Sequence, residues 1–477
     1  MSDLAHELKP SCIYVPNYGF TTYQPEKVRG YADAISGDIG HNRRTQMVSF
    51  LSRFIDTQGA PWDIMVGQEY WATLNIMPNG NSQILAPFAG NLQGKSNIIG
   101  IPKSIDYLNQ ENAVVRANGG IGCVFIHTLS NSALSPYRGE LLAQMADFLE
   151  ARQDVFQDTE PVRDVGILHS ASTFYNEGTG FCMLQPALNR IEGAHIALLQ
   201  NSYHVNIFAD YDLNTRLDDY RVVIVSQQNI LTPETVEALR NYVRKGGTIV
   251  AAGKVAMDPN SPGAPRSLLE DVLGIRFLNE KPLESAYIPW KKFPIQVFCE
   301  WYPVATTTAK KVHPLLQDGD ELNQIELPFP AMTVNQYGEG TAVYIAGDLF
   351  TGYFYNQFYG VRDIIEKAMV LADDNKLIET DAPIAVEFAV RKKNNDMIVH
   401  MVNKLVDWDM EHEGAVYAEH IPPVGPFRLK VRCGKEPANV SLKPGNVTLD
   451  WNWKNGAVWI TIPKIHIHEA IVISNVF

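Results

Sequence analysis

Two carboxylate residues stand where neighbouring apolar runs of the sequence end. Asp38 closes YADAISGD (31–38), and Glu69 lies near the end of PWDIMVGQEYW (61–71). A carboxyl group serves as a general acid when it is protonated, and as a base or nucleophile when it is ionised. Two such groups at neighbouring positions could therefore divide acid and base work between them.

The elements that would position these acids alternate between strand and helix over the first 160 residues. Apolar runs predict strands at 11–17, 31–38, 62–70 and 121–128, and helical periodicity predicts helices at 46–58, 103–117 and 137–156. This alternation indicates a parallel sheet, whose strands all end at the same edge. The Asn-, Gly- and Pro-rich stretch between Trp71 and Pro102 is predicted to be a long functional loop.

A second α/β region follows at 161–375. RDVGILHS (163–170), RVVIVSQQ (221–228) and TIVAAG are predicted strands. Thr232 is the expected N-cap of the helix between the last two, with Pro233 at its first position. The order of elements predicts a flavodoxin-like sheet.

The last hundred residues, 376–477, change to the period of two that is typical of antiparallel strands. Asn455-Gly456 suits the tight turn of a hairpin. We expect a β-sandwich here. In its last run, His466 and His468 would share one face of a strand and could bind a metal if a carboxylate joined them, but the alternation favours a surface face.

Composition excludes several classes of protein. The 477 residues carry a net charge of −13 with no cluster of Lys and Arg, which argues against nucleic acid as a partner. No run is long and apolar enough for a membrane helix, and the N-terminus has no signal-peptide pattern. Five scattered cysteines are typical of reduced thiols in the cytoplasm. We expect no cofactor and no metal.

Several motifs, taken in order, carry a resemblance to known enzymes. ALRNYVRKGGTIVAAG resembles the amidotransferase-like trimerisation domain that follows the catalytic barrel of bacterial β-galactosidases. PWDIM, KSIDYLNQENAVVRANGG, VGILHS, IPPVGP and IHEAIVIS resemble α-L-fucosidase-like glycosidases. The resemblance runs over nearly the whole chain and implies an α/β multidomain protein: a partial (β/α) barrel (1–160), a flavodoxin-like domain of the class I amidotransferase type (161–375) and an antiparallel β-sandwich (376–477).

The chain departs from that family in its barrel. A complete barrel needs about 250 residues and eight strands, whereas only four strands fit before residue 160. They match the last four strands of the family, and the half that carries the fucosidase-like nucleophile has no counterpart. Because a half barrel leaves strand edges unpaired, we expect another chain, a second copy or a rearranged sheet to cover them.

The resemblance implies a pair of carboxylates that hydrolyses a glycosidic bond, and the distance between the acids decides which of them could form it. Carboxylate pairs that hydrolyse glycosidic bonds stand about 5–9.5 Å apart. Asp63 and Glu69 lie six residues apart in one predicted strand, which spans roughly 20 Å, so they cannot form that pair. Asp38, at the neighbouring strand end, is the better partner of Glu69. The predicted sugar contacts are Asn17, Tyr70, Trp71 and His41. Their alternative roles are purely structural: helix capping, packing or solvated loop charge.

The second region lacks the machinery of a true amidotransferase. Its expected elbow positions, SQQN (226–229) and AAGK (251–254), contain no cysteine nucleophile. We expect a non-catalytic scaffold for assembly.

The sequence thus predicts a cytoplasmic glycoside hydrolase, or a subunit of one, acting on a carbohydrate through Glu69 and Asp38. It would form a homo-oligomer, or a heteromer with a chain that supplies the missing barrel half. The alternative is a non-catalytic assembly or carbohydrate-binding protein derived from a glycosidase.

Overall fold

A computed structural model describes most of the chain, namely residues 2–16, 24–28, 30–38, 45–67, 69–70, 74–76, 82–84, 101–126, 131–177, 186–261, 265–405 and 418–477. The chain divides into two compact units. Unit 1 contains Met1–Tyr23, Val28–Val162 and Ile378–Phe477, and unit 2 contains Gln24–Lys27 and Arg163–Leu377. The division into three domains stays a prediction.

The first part of unit 1 alternates between helix and strand. Its helices are α1 (Ser2–Leu8), α2 (Thr45–Ile55), α3 (Ile105–Ala117), α4 (Pro136–Glu150) and α5 (Gln153–Phe156). Its strands are β1 (Ile35–Asp38), β2 (Trp62–Gly67), β3 (Glu69–Tyr70), β4 (Leu74–Ile76), β5 (Ser82–Ile84), β6 (Ile101–Pro102), β7 (Ile121–Phe125) and β8 (Glu160–Pro161).

Three of these strands form a parallel sheet in the order β1-β2-β7. The connections run through α2 and α3, as expected for parallel neighbours that need a crossover. Ser104 caps α3 by accepting a hydrogen bond from the backbone N–H of Tyr107 at 3.2 Å. Gly119, with φ +92°, takes the left-handed position after the helix, which favours glycine.

Unit 2 is built on one mixed sheet of nine strands. The strands of this unit are β9 (Val165–His169), β10 (Val205–Ala209), β11 (Val222–Ser226), β12 (Thr248–Ala252), β13 (Ile275–Phe277), β14 (Ala286–Trp290), β15 (Phe293–Val297), β16 (Val304–Thr306), β17 (Lys310–Leu316), β18 (Glu326–Tyr337) and β19 (Gly340–Ile345). Its helices are α6 (Ala171–Glu177), α7 (Pro186–Gln200), α8 (Leu213–Arg216), α9 (Pro233–Arg244), α10 (Glu270–Leu273), α11 (Leu349–Asn356) and α12 (Tyr359–Ala372).

The nine strands lie in the order β10-β9-β11-β12-β19-β18-β17-β14-β15. The first five are parallel and the last four join antiparallel. The predicted cap of α9 is confirmed, because Thr232 Oγ1 accepts from the N–H of Thr235 at 3.2 Å and Pro233 opens the helix.

The remainder of unit 1 is antiparallel. Its strands are β20 (Ile378–Thr380), β21 (Val386–Lys393), β22 (Asp396–Asn403), β23 (Phe427–Arg432), β24 (Val440–Lys443), β25 (Val447–Thr448), β26 (Trp451–Lys454), β27 (Ala457–Ile462) and β28 (His468–Ile473). They form a four-stranded sheet, β20-β23-β27-β26, and a six-stranded sheet, β25-β24-β28-β22-β21-β8. Asn455 and Gly456 both have positive φ in the β26–β27 turn, as the hairpin prediction requires.

Buried charges tie the two parts of unit 1 together. Glu387 of β21 accepts from Arg53 and Ser49 of α2, at 2.8 and 2.6 Å, and from Lys404 at 2.8 Å. Because Arg53 is completely buried, loss of Glu387 would leave its charge uncompensated in the core. β8 adds a second tie, since it pairs with β21 at the edge of the six-stranded sheet.

The α/β multidomain class is confirmed, while some predicted boundaries are wrong. Residues 11–16 of the first predicted strand form no strand; the backbone of Tyr14 instead pairs with Asp33. The second strand begins only at Ile35, and the run 62–70 divides into β2 and β3. Periodicity in short apolar runs does not distinguish a strand from an extended loop that has local partners.

Candidate functional site at the strand ends

The carboxyl ends of the parallel strands of unit 1 lie at one edge of their sheet. Asp38 is the last residue of β1, and Glu69 comes two residues after the end of β2. The register sets Asp38 level with Met65, four residues before Glu69. Four extended residues span about 13 Å, so a pair within glycosidase range requires a turn after β2.

The chain does change course at that point. Glu69 and Tyr70 leave the parallel sheet and pair antiparallel with Pro102 and Ile101. The structure describes the backbone of Asp38, Glu69 and Tyr70, and the other predicted site residues, Asn17, His41 and Trp71, lie outside the described residues. The pairing of Asp38 with Glu69 and the four sugar contacts therefore stay predictions.

Asp63 belongs to the opposite half of the same strand. Its Oδ1 accepts a hydrogen bond from Ser36 Oγ of β1 at 2.7 Å. Partial burial raises the pKa of the carboxyl, although the Ser36 hydroxyl acts against the shift. Asp63 is thus a partner within the sheet, well before the strand ends.

One face of this parallel sheet is partly exposed to solvent. Along β2, Trp62, Ile64 and Val66 are buried, whereas Asp63, Met65 and Gly67 between them are half-buried. On β7, Ile121 is 54% exposed. Since a parallel sheet is ordinarily covered on both faces, the partial exposure of this face marks a surface that still has area to bury.

In unit 2, polar groups that follow neighbouring strands hydrogen-bond to one another. In an open α/β sheet, ligands bind where the strand order reverses, here between β9 and β11. At that point Asp210 accepts from Ser170 Oγ and from the N–H of Ala171, at 2.7 and 3.2 Å. The N–H of Ser170 donates to Gln228 Oε1 at 2.9 Å. Side chains of the protein itself therefore satisfy the groups that would face a ligand.

The elbow after β11 lacks a nucleophile. Gln227 occupies the position there with a φ of +44°, the left-handed conformation that is rare for residues other than glycine. Cys299 lies two residues after β15, and its pKa is raised by burial and by the nearby Asp348 and Glu300. A thiol with a raised pKa is a poor nucleophile, because the thiolate is the reactive form.

The two histidines of the last run occupy different environments, so the prediction that they share a surface face is wrong. His468 begins β28 fully buried, and its Nε2 lies 3.0 Å from Nδ1 of His400. His466 precedes the strand and is half-exposed, with Asp106 and His420 beside it. The sequence gives little signal for this cluster, because Asp106 and His420 are far from His466 along the chain.

Part of the chain matches a known domain, and most of it resembles solved structures. Residues 191–370 match the model of the beta-galactosidase trimerisation domain. An alpha-L-fucosidase isoenzyme 2 from Paenibacillus thiaminolyticus has a similar structure, with TM-score 0.75 and 15% identity over 95% of this chain and 67% of that one. The resemblance to these glycosidases is confirmed at the level of fold.

Two beta-galactosidases extend the comparison. The enzyme from Bacillus circulans sp. alkalophilus aligns with TM-score 0.64 and 14% identity over 99% of this chain and 65% of that one. The enzyme from Rahnella sp. R3 aligns with TM-score 0.62 and 16% identity over 98% and 64%. This chain therefore spans about two thirds of their length. No curated protein sequence matches it.

Proposed function

We propose that the protein is a glycoside hydrolase, or a subunit of one, that acts on a carbohydrate with Asp38 and Glu69. The observation that carries the proposal is that Asp38 ends β1 and Glu69 lies two residues after the end of β2, the adjacent parallel strand. Barrel enzymes bear their catalytic groups at such ends. One carboxyl would protonate the leaving oxygen, and the other would act as nucleophile or base. Asn17, His41, Tyr70 and Trp71 would contact the sugar.

The proposal assigns a finer architecture to the chain. The sheet β1-β2-β7 and its helices would be part of a (β/α) barrel, the parallel strands of unit 2 a flavodoxin-like, amidotransferase-type domain, and the last hundred residues a β-sandwich. The strand order β10-β9-β11-β12-β19, which places the first strand second, supports the flavodoxin-like assignment. The scattered cysteines of the sequence support the cytoplasm as the compartment.

The site would be completed by another chain, either a second copy or a chain that supplies the other barrel half. The open face of the sheet, with half-buried Met65 and exposed Ile121, supports this part of the proposal. The match to a trimerisation domain supports assembly into an oligomer.

A second candidate is a non-catalytic assembly or carbohydrate-binding protein derived from a glycosidase. Two observations favour it. Within the described residues the parallel sheet of unit 1 has three strands, and at the reversal of strand order in unit 2 Ser170 bonds to Asp210 and Gln228.

Hydrolysis of a panel of aryl-glycosides, measured together with native mass, distinguishes the two. The enzyme proposal expects hydrolysis by the oligomer, or by a complex with a genomically neighbouring chain. Glu69→Gln and Asp38→Asn should each lower kcat/KM about 10²–10⁴-fold. Asp63→Asn is the control and should keep kcat/KM within about threefold, because Asp63 bonds to Ser36 within the sheet.

Either of two results would reject the catalytic assignment. One is hydrolysis that survives both substitutions. The other is a stable assembly that binds sugars and hydrolyses none of them, which would support the second candidate.

A further inference from the structure

Three chain segments of unit 1 bring two imidazoles and one carboxylate together at the surface. Asp106 lies in the first turn of α3, His420 precedes β23, and His466 precedes β28. One donor atom from each residue lies within 4.8 Å of the others. Asp106 Oδ2 is 2.7 Å from Nδ1 of His420 and 3.7 Å from Nε2 of His466.

From this geometry we propose that Asp106, His420 and His466 form a binding site for a divalent transition-metal ion of the zinc class. Two imidazole nitrogens and one carboxylate oxygen are a ligand set that Zn²⁺ takes in proteins, with a fourth position left to water or another ligand. Calcium and magnesium fit less well because they prefer oxygen ligands alone, whereas imidazole suits zinc, copper, nickel and iron.

The distances need only small adjustment. Tetrahedral ligands at about 2.1 Å from zinc stand about 3.4 Å from one another. The 3.7 Å between Asp106 Oδ2 and His466 Nε2 is already close to that value. The ring of His420 is 67% exposed, so it can rotate to exchange its contact with Asp106 for a metal bond.

The nitrogen of His466 that faces the carboxylate is available for a ligand. Nε2 of His466 is covered from solvent and has no hydrogen-bond partner among the described residues. A covered polar atom without a partner is costly, and a bound ion would satisfy it. Oδ2 of Asp106 is meanwhile held toward the cluster by the N–H of Ile421, at 3.0 Å.

A buried amide fixes both histidine segments. Nδ2 of Asn403 donates to the carbonyl of His466 and to that of Pro422, two residues after His420, both at 2.8 Å. The carbonyl of Asn403 accepts from Gln110 Nε2 at 2.7 Å, and Gln110 lies on α3, one turn after Asp106. Asn403 is completely buried, so all three ligand-bearing segments share one rigid support.

Two further sets of hydrogen bonds join these segments. Ser104 Oγ, two residues before Asp106, donates to the carbonyl of Ala418 at 2.5 Å. The backbones of Val424 and Ile465 exchange two hydrogen bonds, each 2.8 Å long. Such an arrangement is pre-organised for a ligand, because little chain entropy remains to be lost when the ion binds.

Titration of the full chain with ZnCl₂ by calorimetry, and with CoCl₂ by visible absorption, tests the site. We expect this site to bind one zinc ion per chain, with micromolar affinity or tighter. His420→Ala and His466→Ala should each weaken it at least tenfold and remove the cobalt absorption bands. Asp106→Asn should do the same while keeping an acceptor for the N–H of Ile421, so that the fold is preserved.

His6→Ala is the matched control, because His6 also pairs with an aspartate, Asp33, at 3.0 Å and with similar partial exposure. This variant should bind zinc as the unsubstituted chain does. Zinc should raise the Tm of the unsubstituted chain and of His6→Ala, and should not raise that of His466→Ala, because only a bound native state is stabilised.

The outcome that overturns the proposal is zinc binding whose stoichiometry and affinity are unchanged in His420→Ala, His466→Ala or Asp106→Asn. Absence of binding to the unsubstituted chain would overturn it as well. Metal binding is measured without a sugar substrate, so its outcome is independent of whether the protein hydrolyses glycosides.

Discussion

The parallel strands of the two units are covered in different ways. In unit 2, every residue of β9, β10, β11 and β12 is buried. In unit 1, β2 alternates between buried and half-buried residues along its whole length. A parallel sheet with both faces covered is complete in itself, whereas the sheet of unit 1 still presents one face to solvent.

The same contrast holds at the strand ends. Ser170, Asp210 and Gln228, which follow β9, β10 and β11, hydrogen-bond to one another. After β1 and β2, the chain instead carries the two acids proposed for catalysis. The fully buried strands of unit 2 make the better scaffold, and the half-covered sheet of unit 1 is the one on which we propose a partner and a substrate.

Truncating an inward side chain of β11 should have the largest effect, and truncating a half-buried one of β2 a smaller effect. Ile224→Ala in β11 should lower the free energy of unfolding by about 2–5 kcal/mol, because Ile224 is fully buried and leaves a cavity. Met65→Ala in β2 should cost less than about 1.5 kcal/mol, since part of its side chain already lies in water. Urea unfolding measures both, and equal losses would contradict the difference in coverage.

The buried carboxyl of Asp348 should lower the free energy of unfolding at neutral pH. Burial raises the pKa of Asp348, just after β19, from its usual 3.8 to about 6. The native state therefore holds this proton more tightly than the unfolded chain does. The contribution of Asp348 to the free energy of unfolding should therefore fall by up to roughly 3 kcal/mol as pH rises from about 4 to about 6, and should stay lower above that range.

Asp348→Asn should remove that fall. The difference in unfolding free energy between pH 4 and pH 8 would then shrink by roughly 2–3 kcal/mol relative to the unsubstituted chain. Asp318→Asn, at an exposed position, is the control and should leave the difference unchanged. An Asp348→Asn chain with the original pH dependence would show that this carboxyl does not retain its proton in the native state.

A charge on the open face should change assembly more than stability. Ile121→Asp should alter the unfolding free energy of the chain by less than about 0.5 kcal/mol, since Ile121 is 54% exposed. If another chain covers this face, the native mass should fall, because the new carboxylate would be buried in the interface. Val447→Asp, at a position 53% exposed on β25, should leave the native mass unchanged. A native mass that responds to neither substitution, or equally to both, would argue against this face as the covered surface.

Local features of the fold were predictable from the sequence. The cap at Thr232, the turn at Asn455-Gly456 and the helix over 105–117 each depend on residues within a few positions of one another. The end of β1 at Asp38 was predictable for the same reason, because an apolar run stops there. Residues 11–16 failed as a strand, since composition alone does not provide the neighbouring strand that a sheet requires.

By itself, then, the sequence determined the α/β class, the helices α2, α3, α4 and α9 and the β26–β27 hairpin, because these follow from periodicity and short-range hydrogen bonding. The resemblance to glycosidases came from the order of its motifs. Only the tertiary structure decided which face of β2 stays open and which distant residues meet. Arg53 and Glu387, 334 residues apart, form one buried pair, and Asp106 meets His420 and His466. The physical reason is that burial and electrostatic pairing depend on distances in space, and local sequence patterns carry no record of those distances.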